Sequence, residues 1–220
     1  MNKNKKCWLK PLKADSNFNH YYNAHFPGLY SIVVGSGKNN NCLKRVFVSK
    51  PGMLHEDLMS IAGKFLWHPH GYDFKETTLA GVVSNINAYE YMPDDEQYNS
   101  QTMFHVYDIM AGIDTGKLPK LKKHKNKVVF FVDSPRHYTV GSSYTLNHEI
   151  IHRVVFTPNT DGWFACLVEE VKKYEAPITV YSPYDIKEVP NAKNLYKPIS
   201  SKEAQLVLDE LYVNIVKHGD

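Results

Sequence analysis

The 220-residue sequence is poor in cysteine: it has three, Cys7, Cys42 and Cys166, widely spaced and without a CxxC pair. That odd number and those spacings argue against a disulfide framework or a cysteine-built zinc site and fit a reducing compartment. No run approaches the roughly 18 consecutive apolar residues that cross a bilayer, and the basic opening, MNKNKKCWLKPLK, has no apolar signal core. The expectation is a cytoplasmic protein without membrane contact. Charge of one sign is not in large excess either. A formal net charge of +3 is too mild to make nucleic acid a partner. No internal repeat is visible.

What is present suffices for a core. A hydrophobic fraction of 43% against 22% charged is ordinary globular usage, which excludes wholesale disorder. The length suits one domain spanning 1–220. Strand-like runs are expected at 28–34, 43–49, 76–91, 102–109, 128–132, 137–146, 150–156, 163–171 and 178–181, separated by Gly, Pro, Asn and Asp. Many short strands at this spacing read as an all-β sandwich or barrel, with its core over about 28–182. Gly35-Ser36-Gly37-Lys38 lacks the spacing of a phosphate-binding loop and reads as a hairpin turn. A short helix is expected at 55–64. The lysine-rich 117–127 run, with no aromatic residue among its lysines, reads as a solvated loop. Near the end, Ser200 and Glu203 form a capping box, followed by an amphipathic helix over about 200–217. Its apolar face is Val207, Leu208, Leu211, Tyr212, Ile215 and Val216.

Eleven histidines make a metal search worthwhile. His68 and His70 are two apart, so in an extended chain both point to one side. His152 lies in the apolar run Ile-Ile-His-Arg-Val-Val-Phe, which would be buried as a strand. A buried neutral imidazole needs partners for both nitrogens, and a metal on one with a hydrogen bond on the other meets that need. A hydrogen bond to a carbonyl or a tyrosine would meet it equally well. His148 is a lesser candidate, and His20, His25, His55, His105, His124, His137 and His218 have no partner at useful spacing.

These residues carry a resemblance to the cupin superfamily. His68-x-His70, Phe74 and Gly81 follow the spacing of the first cupin motif, with four residues between Gly63 and His68 where the motif has five, and with phenylalanine at the usual glutamate position. Gly141, five residues, Asn147-His148-Glu149, two residues and His152 follow the spacing of the second, with its Pro and Gly replaced. The resemblance covers about 63–171. It implies a mainly β, cupin-type β-barrel (a double-stranded β-helix) with an N-terminal strand extension and the C-terminal helix. It also implies a metal held by His68, His70 and His152. A three-histidine set without the glutamate is similar to cysteine dioxygenase and its thiol dioxygenase relatives, and His152-Arg153-Val154 resembles their second histidine motif.

The function so implied is a metal-dependent enzyme. The leading reading is a mononuclear non-haem Fe(II) oxygenase, cysteine dioxygenase-like, acting on a small polar substrate. Zn, Mn or Ni in an isomerase or hydrolase is the alternative, as is a non-catalytic binding or assembly protein. Tyr144, Arg153 and Glu76 are the candidate catalytic residues, with Tyr138 as a further pocket residue. Glu76, two residues beyond Phe74 on the same strand face, is also a candidate ligand or base. A homodimer through edge strands is the expected assembly.

Overall fold

A computed structural model describes residues 11–25, 27–37, 42–53, 67–90, 102–109, 121–174, 178–187 and 194–218. The expected 55–64 helix, and Gly63 of the first motif, lie outside these residues. The strands are β1 (His20–Tyr22), β2 (Tyr30–Ser36), β3 (Leu43–Ser49), β4 (Tyr72–Ala80), β5 (Val82–Glu90), β6 (Thr102–Ile109) and β7 (Leu121–Val132). After them come β8 (Arg136–Thr139), β9 (Ser143–Leu146), β10 (Ile151–Thr157), β11 (Phe164–Lys173), β12 (Ile178–Ser182), β13 (Lys197–Ile199) and the helix α1 (Ser201–His218).

The strands form two antiparallel sheets. One has the order β13-β1-β2-β3-β11-β4-β9; the other runs β10-β5-β7-β6-β12, with β8 also on β5. Between them lies a core to which both contribute: Phe47, Phe74, Phe164, Cys166 and Val168 from the first, and Val83, Val154 and Phe156 from the second. The alternation of strand side chains sends the neighbouring positions Tyr30, Ile32, Val46, Val48 and Ala165 to the opposite face of the first sheet. There α1 covers them with Ala204, Val207, Leu208 and Leu211. The fold is mainly β, as expected, with two antiparallel sheets, N-terminal strands and a C-terminal amphipathic helix.

The second sheet closes on itself. The Tyr181 amide donates to the Trp67 carbonyl at 2.7 Å, which ties residues 67–68 to β12. His68 and His152 exchange both backbone hydrogen bonds, at 3.0 and 3.1 Å, which ties the same segment to β10. Successive residues of an extended chain point their amides to opposite sides, so one dipeptide serves both edges. Trp67, Ile86, Ala88, Phe104, Val128, Val132, Ile151 and Tyr181, drawn from every member of this ring, form a second cluster. The face carrying His68 and His152 is the other one, turned toward the first sheet.

Several expectations need correction. The 76–91 run is not one strand: Gly81, at φ 74°, breaks it, and β4 and β5 belong to different sheets. A Cβ at Gly81 would collide with the Thr157 carbonyl oxygen, so only glycine allows the crossing. The 137–146 run breaks likewise at Gly141, φ 81°, into β8 and β9 on different sheets. In the lysine-rich run, residues 121–127 are strand rather than loop. Pairing with β6 satisfies their backbone, and carboxylates meet two of the side chains, Lys123 with Asp185 at 2.6 Å and His124 with Asp108 at 2.8 Å. On α1, Val216 is exposed rather than part of the buried face, whereas Ala204 is fully covered. Ser200 Oγ accepts from the Glu203 amide at 3.1 Å, so the helix starts where its capping residues place it.

Candidate metal centre

His68 and His70 come from the segment that closes the second sheet, and His152 from β10 beside it. The two backbone bonds between His68 and His152 fix the spacing of those residues, and the His70 amide adds a third by donating to the His148 carbonyl at 3.2 Å. The outcome is a cluster in which one ring nitrogen from each of His68, His70 and His152 lies within 4.8 Å of the others. Among the described residues this is the group of histidine, cysteine and acidic side chains gathered closely enough to hold an ion. Ring centroids are 4.8 Å apart for His68 and His70, 4.9 Å for His70 and His152, and 5.2 Å for His68 and His152.

The proton on His152 is assigned by its neighbours. Its Nδ1 lies 2.5 Å from Asn85 Oδ1, an oxygen that can only accept, so Nδ1 carries the hydrogen and Nε2 keeps its lone pair. The Asn85 amide is oriented in turn, because its Nδ2 donates to Asn87 Oδ1 at 2.7 Å, and Asn87 Nδ2 donates to the Tyr89 hydroxyl at 3.2 Å. Asn85, Asn87 and Tyr89 alternate along β5, so all three share the sheet face that carries His152. His152 Nε2 lies 2.7 Å from His70 Nε2. Two lone pairs at that distance repel unless a proton or a cation lies between them. Ligand nitrogens about 2.1 Å from one ion and at roughly right angles stand about 3 Å apart, so small adjustments bring the rings into register. Burial first, and then the charge a proton would place on His68, holds His152 well below the ordinary imidazole range. His70 is lowered in the same way, by burial first and then by His68, His152 and His25. Neutral imidazoles are what a metal requires. The donor set, the fixed tautomer and the convergence fit a divalent transition-metal ion.

Phe74 is buried against this cluster, 4.7 Å from the His70 ring and 6.0 Å from that of His152. It fills the place of the glutamate in the cupin spacing with an uncharged ring. Glu76 is on the same face of β4, as expected, but it is not in the ligand group. The residue two before it, Phe74, is the one that packs on the His70 and His152 rings. Glu76 Oε2 accepts from the Tyr144 hydroxyl at 2.8 Å, while Oε1 is buried without a hydrogen-bonding partner. Burial raises this carboxyl to about 7; the Tyr144 hydroxyl and the Cys166 thiol act in the other direction without overcoming it. Tyr144 stacks on Tyr138 at 4.3 Å and meets Phe74 edge-on at 6.2 Å. Arg153 is not brought to the histidines. It follows His152 in β10, so its side chain leaves on the opposite face and rests on Trp67.

Two groups lay outside the sequence reading. The Asn85-Asn87-Tyr89 relay is one; the alternation Asn-x-Asn-x-Tyr was its only signal. The other surrounds His148, whose Nδ1 lies 3.1 Å from Asp73 Oδ1, while the Tyr174 hydroxyl donates to Asp73 Oδ2 at 2.7 Å. The rings of His148 and Tyr174 stack at 3.5 Å. His148 therefore has an acidic partner of its own and stands beside the cluster.

No protein-family model matches the sequence, and no curated protein matches it. Similar solved structures include a hydroxypropylphosphonic acid epoxidase from S. wedmorenis, at 8% identity over 72% of this chain and 58% of that one, TM-score 0.39. The chain thus spans less than two thirds of that enzyme's length. A cupin-like protein from Thermotoga maritima is 12% identical over 81% of this chain and 86% of that one, TM-score 0.28. An acetylacetone dioxygenase from Acinetobacter johnsonii is 11% identical over 92% of each chain, also with a TM-score of 0.28. These are distant likenesses of fold, from which nothing is taken about activity.

Proposed function

We propose that the protein is a metal-dependent enzyme of cupin type in which His68, His70 and His152 hold one Fe(II) ion, and that it oxygenates a small polar substrate. The observation that supports this reading is the convergence of three imidazoles, one of which has its tautomer set by Asn85. Bound there, Fe(II) would supply a Lewis acid for the substrate and electrons for dioxygen.

The chain's own residues define what else can happen at the site. Asn85 holds the Nδ1 proton of His152 and so keeps Nε2 directed at the cluster. Phe74 excludes water from one side and contributes no charge. With no carboxylate in the ligand group among the described residues, these three imidazoles leave an ion's +2 charge uncompensated, which favours an anionic substrate group such as a thiolate or carboxylate. Glu76 serves as a buried proton-holding group rather than as a ligand.

The test is metal content and dioxygen uptake in protein purified without chelator and supplied with Fe(II). About one ion per chain in the wild type, and none in a folded His152→Ala variant, is the expected result. Wild-type protein that takes up no ion, or a His152→Ala variant that retains it, contradicts the proposal. Uptake of zinc but no dioxygen consumption with any thiol or carboxylate would leave the metal centre standing and remove the oxygenase.

A further inference from the structure

The face of the second sheet turned away from the histidines carries a cation that no carboxylate among the described residues neutralises. Arg153 is half-buried on that face, with its guanidinium 6.0 Å from the centroid of the Trp67 ring. Its Nε is buried without a hydrogen-bonding partner, and among the described residues no carboxylate pairs with it. A guanidinium half-removed from water normally has an anion beside it, because desolvation without pairing is costly.

The register shows what surrounds it. Arg153 stands opposite Ile86, and one layer along, Val155 stands opposite Ser84, which in turn stands opposite His137 of β8. Cross-strand partners and positions two apart share a face, so Arg153, Ser84 and His137 line the same side of the sheet. Ser84 Oγ and His137 Nδ1 are joined at 2.8 Å. In the other direction along the ring come Ile151, Ala88, Trp67 and Phe104, the apolar cluster inside the closed sheet. This face of the sheet thus carries the apolar cluster at one end and, beyond it, Arg153, without a carboxylate partner among the described residues, beside the Ser84 hydroxyl and the His137 imidazole.

We propose that Arg153, seated on Trp67 and flanked by Ser84 and His137, is a binding site for a small organic carboxylate with an apolar body. The carboxylate meets the guanidinium and the Ser84–His137 pair, and the body lies toward Trp67 and Ile86. This site is back to back with the metal centre: Trp67 and His68 are adjacent, as are His152 and Arg153, and each pair sends one side chain to either face. The inference does not depend on the metal reading.

Benzoate is a suitable probe and inorganic phosphate its control, titrated into the full chain by calorimetry while tryptophan fluorescence is followed. Benzoate is expected to bind and to alter the emission, and phosphate to bind more weakly. Arg153→Gln should weaken benzoate binding by about tenfold to a hundredfold, the usual effect of losing a charge-assisted pair. Arg153→Lys, which keeps the charge in case the glutamine variant folds poorly, should retain part of the binding. Stripping metal with a chelator, or loading zinc, should leave it unchanged. The proposal is overturned if benzoate does not bind to the wild type, or if Arg153→Gln binds it normally. It is overturned equally if benzoate binds only to the zinc-loaded protein, which would put the anion at the metal centre, or if phosphate binds as tightly as benzoate.

Discussion

Replacing Glu76 by Gln should change the pH dependence of stability in a direction opposite to that of most acidic residues. Most carboxylates in folded proteins are held ionised, so protonation destabilises the fold. Glu76 is buried, and burial favours its protonated form despite the Tyr144 hydroxyl and the Cys166 thiol beside it. Its midpoint rises from 4.5 to about 7, chiefly through burial. A raised midpoint means that the folded protein binds the proton more tightly than the unfolded chain does. The stabilisation is fully present below pH 4.5, declines as pH rises, and is gone above about pH 7. The difference between those midpoints corresponds to about 3 kcal/mol. The glutamine side chain in the variant is uncharged at every pH and has the same shape, and its amide oxygen can take the Tyr144 hydrogen bond. Urea unfolding of both proteins at about pH 5 and about pH 9 isolates the effect, since every other group titrates alike in the two. Between those values Glu76→Gln should gain roughly 2–3 kcal/mol on the wild type. A difference that stays constant across the range would refute the buried-carboxyl account.

Other residues give separate tests. Asn85→Ala removes the acceptor that fixes the His152 tautomer and should lower metal affinity by about tenfold to a hundredfold, read by competition with a chelating dye. Phe74→Glu puts a carboxylate where the cupin spacing has one. It should slow metal loss to chelator and lower the apo protein's thermal midpoint, because the new charge is buried when no ion is bound. Gly81→Ala should cost at least about 1 kcal/mol in urea unfolding, since alanine both resists a positive φ and meets the Thr157 carbonyl.

Sequence patterns revealed what depends on local alternation. The strands at 43–49 and 102–109 coincide with β3 and β6, and the capping pair at Ser200 and Glu203 starts α1 within a residue of its place. The three histidines were legible because two share a dipeptide period and the third lies in an apolar run. What was hidden depends on partners far away in the chain. The 76–91 run looks continuous because both halves alternate well; only the approach of Thr157 to Gly81 shows why it must break. Leu121 to Lys127 lacks apolar alternation, and its strand state comes from β6 and from Asp108 and Asp185. β1 and β13 are three residues each and pair across most of the chain, which no local signal reports. Arg153 was grouped with His152 by adjacency, although the period of a strand sends neighbours to opposite faces. Glu76 shares the strand face of Phe74, but that Phe74 packs on the histidines while Glu76 turns to Tyr144 is a matter of packing.

The central claim, that three imidazoles share one ion, is tested most directly by X-ray absorption on the zinc-loaded protein, where the metal is redox-silent. Three imidazole nitrogens at about 2.0–2.1 Å, with the remaining positions filled by oxygen and no sulfur, is the spectrum the geometry requires. His152→Ala should lose one imidazole or the ion altogether. A spectrum with a thiolate, or with fewer than three imidazoles in the wild type, would contradict it.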